Sequence, residues 1–219
     1  MLMTDGEIKQ ATQSGRLVIG DYDGAQLQPC AYDARAGKEA LVSGNDQLID
    51  LPKAKSVTLK AGDFALIMTH ESFKLPNDIA GHIGMKSSWA RRGLVLLAGI
   101  QIDPGFEGHL RLGFYNSSLR RLTIDYLDEI CTIEFHQLSK DVEKPIGPIP
   151  DLKEGRIPDT DKAFLRELET LSLSDLSRDM RSLSQSVKTA TKIGYIVALP
   201  LLGATFLGIL GIVASLLFK

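Results

Sequence analysis

The sequence predicts a mainly β domain of jelly-roll or sandwich type, followed by an α-helical coiled coil and a single transmembrane helix. Three observations carry that expectation. Short runs with period-two apolar spacing, separated by turn signals, fill the chain to about residue 140. From about Asp161 the apolar residues recur in alternating steps of three and four. Residues 193–218 form an uncharged run of 26. The expected boundaries are a globular domain over 1–143, a proline-rich linker over 144–160, an amphipathic helix over 161–192 and a membrane span over 193–218.

The turn signals are SGN at 43–45, KAGD at 60–63, LPND at 75–78 and DPG at 103–105. Between them lie Val57 with Leu59, Ala65 with Ile67, and the stretch HLRLGFYN at 109–116. There Leu110, Leu112 and Phe114 share one face, and His109, Arg111, Gly113 and Tyr115 the other. Only TDGEIKQATQSG at 4–15 and SSWARRG at 87–93 read as helix. KPIGPIPDLKEGRIPD, from residue 144, cannot sustain a helix or a central strand, so it is a linker or a loop draped over the barrel.

Beyond it, Leu173, Leu176, Met180, Leu183, Val187 and Ala190 keep the heptad of a short coiled coil; the alternative is one amphipathic helix packed on its own domain. Continuing the register gives Gly194, Val197, Leu201, Ala204, Gly208, Gly211 and Ser215, a stripe of mostly small residues that lets membrane helices approach closely. Arg178, Arg181, Lys188 and Lys192 before the span favour a cytoplasmic globular domain. The expectation is therefore a C-terminally anchored, single-pass oligomer with the lipid bilayer as a partner.

At 219 residues and 44% hydrophobic content, the chain can bury one substantial core plus an appendage. A formal charge of -2 gives no basis for binding a nucleic acid polymer. Cys30 and Cys131 are far apart and read as buried thiols in a reducing compartment. His70, His82, His109 and His136 lack His-x-Glu or Cys-x-x-Cys spacing. No metal ligand is assigned to them, and zinc-dependent nucleobase deamination is argued against.

Four ordered stretches resemble the dCTP deaminase and dUTPase superfamily over roughly residues 4–137: SGRLVIGDYDGAQLQPCAYDARAG, LPNDIAGHIGMKSSWARRGL, AGIQIDPGFEGHLRLGFYN and the weaker LTIDYLDEICTIEF. The second and third are closest to the deaminase branch. The resemblance implies a dUTPase-like β-barrel and a homotrimer with sites between subunits. It assigns Lys86, Ser87, Ser88 and Arg91 to the triphosphate, whose charge suits hydroxyl, ammonium and guanidinium donors; locally the same residues read as a solvated cationic helix start. It places Asp103 beside the deoxyribose, where the dUTPases orient water, although Asp before Pro104 and Gly105 is also an ordinary turn residue. Ile102, Phe106 and Tyr115 fall beside the nucleotide or an interface. Asp33 and Arg35 match a YD-x-R motif that braces the interface or the phosphate region. Magnesium would arrive with the triphosphate, held by phosphate and water oxygens.

One position breaks the pattern. The deaminases carry a Glu for proton transfer where this chain reads LGFYN, so the position of that carboxylate is Gly113. The Pro-Gly of the fourth motif is also missing from IDYLDEI, and the closing tail is replaced by the proline-rich stretch, where Lys153 or Arg156 could reach a phosphate. These departures imply a membrane-anchored trimer, inactive as a deaminase, that senses a pyrimidine deoxynucleotide or nucleotide signal in stress or antiviral defence. The alternatives are a membrane-tethered dUTP or dCTP phosphohydrolase using Asp103, a dCTP deaminase with a displaced base, and a scaffold that has lost its ligand.

Overall fold

The computed structural model describes residues 1–44, 47–167 and 179–193, together with Ile196, Pro200, Leu207 and Ile212. The chain divides into two units, Met1–Ser174 and Asp175–Lys219.

The first unit is a curled, antiparallel β structure. Its strands are β1 Val18–Ile19, β2 Leu27–Gln28, β3 Ala31–Val42, β4 Ile49–Asp50, β5 Ser56–Leu59, β6 Phe64–Lys74, β7 Ile79–Met85, β8 Leu94–Leu96, β9 Gln101–Ile102, β10 Glu107–Asn116, β11 Leu122–Asp125 and β12 Glu129–Gln137. The main sheet runs β8-β10-β6-β3-β12-β7-β9, with β1 on β6 and β2 and β4 on β3, while β11 and β5 pair separately. β3 curls the sheet: residues 32–35 pair with β12, while Ala36 and then residues 40–42 pair with β6, with a register shift between Ala36 and Ala40. Gly37 sits in that bulge, and a Cβ there would lie 2.3 Å from the Thr69 carbonyl oxygen, so only glycine lets the two backbones cross.

Period-two spacing produces the core directly. Leu110, Leu112 and Phe114 of β10 are buried at that spacing, while β6 buries consecutive residues, Ile67 and Met68 among them, and Phe73 and Phe135 complete the core. Each large apolar side chain fully removed from water contributes roughly 1.5–3 kcal/mol. The turn signals form turns: Lys60 N–H donates to Asp63 Oδ2 at 2.7 Å with Gly62 at φ +82°, and Phe106 N–H donates to the Asp103 carbonyl at 3.1 Å with Gly105 at φ +84°. The N-terminal helix α1, Asp5–Gln13, opens on a capping box between Thr4 and Glu7 and buries Ile8 and Ala11. Cys131 is buried, and burial pushes its thiol well above the ordinary range; Cys30, expected to be buried, is exposed at the turn between β2 and β3.

Two further short helices are α2 Leu51–Ala54 and α3 Ser87–Ala90. The proline-rich stretch contains one helical turn, α4 Pro150–Lys153, because a proline at the first helical position forfeits no hydrogen bond. It lies on the barrel, with Leu152 and Ile157 buried, Ile157 N–H donating to Glu39 at 2.8 Å and Lys153 paired with Glu107 at 2.6 Å. α5, Asp159–Glu167, buries Leu165 in the same unit.

In the second unit, residues 179–193 are helical, and Met180, Leu183 and Val187 are exposed. Leu173 and Leu176 of the expected heptad lie outside the described residues, and no coiled-coil partner is established for the rest. The expected localisation, single-pass with an anchor over 193–218, is corrected: among the described residues no helix is long and apolar enough to cross a membrane, and the lipid partner is not established. That expectation rested on composition alone; apart from Ile193, Ile196, Pro200, Leu207 and Ile212, the run lies outside the described residues. The stripe from Gly194 to Ser215 lies outside the described residues.

Candidate functional site

Strand β7 leads into α3, and the fold pins that helix from below. Trp89 is buried, and its Nε1–H donates to the Glu129 carbonyl at 3.0 Å. Arg92 stacks over the indole at 4.8 Å. Ser87, Ser88 and Arg91 are left exposed, and Arg91 has no ion pair among the described residues. An exposed guanidinium beside two hydroxyls on a fixed turn suits a polyanionic ligand.

Lys86 stands differently from its neighbours. Its Nζ lies 2.5 Å from Asp33 Oδ2 and 2.9 Å from Glu129 Oε2. Burial, the largest influence, works against its charge, yet the bonds and charges of Asp33 and Glu129 hold its pKa above the ordinary lysine range. Asp33, almost fully buried, thus fixes the first residue of the loop. Arg35, two residues along β3, is committed to the interior: Nε donates to Glu71 Oε1 at 2.6 Å, the backbone N–H to Glu71 Oε2 at 2.8 Å and NH2 to the Asp21 carbonyl at 3.0 Å. Glu71, fully buried, is the partner that sequence reading missed, since nothing local marks residue 71 as the counter-ion of residue 35.

Asp103 is exposed at the end of β9, with Oδ1 accepting from Gln101 Nε2 at 2.8 Å. Ile102 is buried opposite Gly81, and Phe106 is buried with its carbonyl accepting from Leu75 N–H. Tyr115 is half-buried, opposite Phe64 on β6 and Val95 on β8. The β7–β9 register pairs Ile102 with Gly81; continued one residue past β9 it sets Asp103 level with Ala80, six residues before Lys86, about 20 Å along an extended strand.

Gly113 is not an empty place. Its carbonyl accepts from Leu97 N–H at 2.7 Å, and a Cβ at 113 would lie 2.7 Å from the Leu97 carbonyl oxygen and 3.0 Å from the Phe64 ring. Glycine is required there by close backbone approach, and a carboxylate has no room without movement of the chain at Leu97. The fourth-motif turn survives without its glycine: Leu127 adopts φ +70°, while its N–H donates to the Ala36 carbonyl and Ala36 N–H donates to the Asp128 carbonyl.

Residues 2–138 match a family described as dCTP deaminase-like. A dCTP deaminase of Pyrococcus abyssi is 36% identical over 145 residues, covering 66% of this chain and 89% of that protein. One from Thermococcus sibiricus is 34% identical, covering 66% and 88%. A crystal structure of the 2'-deoxycytidine 5'-triphosphate deaminase of Agrobacterium tumefaciens is similar in fold, with a TM-score of 0.54 at 21% identity; the likeness spans 62% of this chain and 48% of that one. The chain belongs to the dCTP deaminase-like family, and its first unit shares the mainly β fold of the Agrobacterium deaminase.

Proposed function

We propose that the first unit binds a pyrimidine deoxynucleoside triphosphate, dCTP first, and acts on it within pyrimidine deoxynucleotide metabolism. The observation that carries this is the α3 platform: Ser87, Ser88 and Arg91 exposed on a turn that Trp89 and the Lys86–Asp33 pair hold rigid. The names of the relatives support dCTP as the ligand. The separation of about 20 Å between Lys86 and Asp103 supports a homotrimer, with phosphate contacts from one copy and Asp103, Ile102 and Phe106 from the next.

The reaction follows from which carboxylates are available. Deamination at C4 needs a group that takes a proton from water and returns one to ammonia, and position 113 holds neither that group nor room for it. Asp103 presents an exposed carboxylate, one oxygen of which is held by Gln101. It can accept a proton from a water attacking the triphosphate, giving pyrophosphate and the monophosphate. Near α3 the carboxylates Asp33 and Glu129 are both engaged by Lys86, so magnesium arriving with the triphosphate would be held chiefly by phosphate and water oxygens. When bound, that ion would neutralise phosphate charge.

Purified protein assayed with dCTP and dUTP, following pyrophosphate and ammonia separately, tests this reading. Pyrophosphate release that Asp103→Asn abolishes is the expected result. Ammonia at an ordinary enzymatic rate would overturn the choice of reaction, and absence of nucleotide binding would overturn the site. Tight binding without either product would favour the second reading, a nucleotide sensor, which the blocked position at Gly113 also supports.

A further inference from the structure

On the face that β7 and β12 share, three donor side chains converge. The antiparallel register sets Glu134 opposite His82 and puts His136, two residues along β12, on the same face and diagonal to His82. The two imidazoles are tilted at 46° with centroids 4.5 Å apart. His136 Nε2 is buried without a hydrogen-bond partner among the described residues and lies 3.5 Å from Glu134 Oε2. One ligating atom from each residue falls within 4.8 Å of the other two.

Two imidazoles and one carboxylate form a donor set for borderline divalent transition ions, whereas magnesium and calcium prefer oxygen alone. Ligands about 2.1 Å from one tetrahedral ion are about 3.4 Å apart, so the His136–Glu134 pair already has that spacing. The exposed His82 needs only a modest side-chain rotation to close on them. The three positions are fixed by paired strands instead of a loop, which removes most of the ordering cost.

We propose that His82, Glu134 and His136 bind one divalent transition-metal ion of the zinc class, with a further coordination position open to solvent. Such an ion clamps β7 to β12. β7 runs directly into the Lys86–Arg91 loop, so occupancy stiffens the strand that presents the phosphate contacts. This site involves none of the groups assigned to the nucleotide, and it stands whether or not the nucleotide reading does.

The test uses the full chain, stripped of metal and titrated with Co2+ and then Zn2+. Visible d–d absorption of low-coordinate cobalt is expected, at one ion per chain and displaced by zinc. His82→Ala and His136→Ala should each weaken binding tenfold or more, while Cys30→Ser leaves it unchanged. Zinc should raise the unfolding midpoint of the parent chain but not of His82→Ala. Undiminished binding in His82→Ala, loss of binding in Cys30→Ser, or no binding of either ion would overturn the assignment.

Discussion

Leu97 grips Gly113 with both of its backbone groups: its N–H donates to the Gly113 carbonyl at 2.7 Å, and its carbonyl oxygen stands 2.7 Å from where a Cβ at 113 would be. Restoring a side chain there forces backbone apart. Gly113→Ala is expected to destabilise the first unit by about 1–3 kcal/mol, as overpacking typically does, measured by denaturant unfolding. Gly113→Glu should fold no better and should yield no ammonia from dCTP.

Leu127 presents the opposite case. A branched side chain at φ +70° is held in place by the turn around it, at a cost of about 1–2 kcal/mol. Leu127→Gly should therefore stabilise the protein by about 1 kcal/mol in the same assay, after the extra unfolded-state freedom of glycine is subtracted.

Lys86 is expected to be structural as well as functional. Lys86→Ala leaves Asp33 buried with its main partner gone, which should cost about 3 kcal/mol. Adding Asp33→Asn should recover much of that loss, and a double-mutant cycle would measure the coupling. Arg91→Ala, at an exposed position, should leave stability unchanged and weaken triphosphate binding about 10–100-fold by calorimetry.

Alkaline pH should unfold the chain through Tyr32 and Lys86. Burial pushes the Tyr32 phenol up to about 12, against a partly offsetting hydrogen bond from Asp23 N–H. A raised folded pKa gives a contribution fully present below the unfolded value of about 10 and lost as pH rises toward 12, roughly 2–3 kcal/mol over that window. Lys86, also raised, adds in the same direction. Stability measured from pH 9 to 12 should fall steeply in the parent and less steeply in Tyr32→Phe.

The strand pattern of HLRLGFYN was legible because alternate burial is local: Leu110, Leu112 and Phe114 pack inward as their spacing requires. The reason for Gly113 was not legible, since the atom that demands it belongs to the backbone sixteen residues earlier. Arg35 and Glu71 meet only because β3 bends across β6, and His82 meets Glu134 and His136 only through strand register. Glu134 and His136 could have been noticed as an alternate-position pair, but the third donor lies 52 positions away. The anchor expected over 193–218 rested on an uncharged run, which records composition only, and among the described residues no helix is long and apolar enough to cross a membrane.

The short connection between β8 and β9 joins the two ends of the strand order, bound to β10 through Leu97 and to β7 through the Ile100 carbonyl, which accepts from Ile83 N–H at 2.7 Å. Four residues therefore act as a hasp. A single protease cut between Leu97 and Ile100 would unfasten it and bare two rows of unpaired amides and carbonyls, turning a self-contained barrel into a template for sticking to its neighbours.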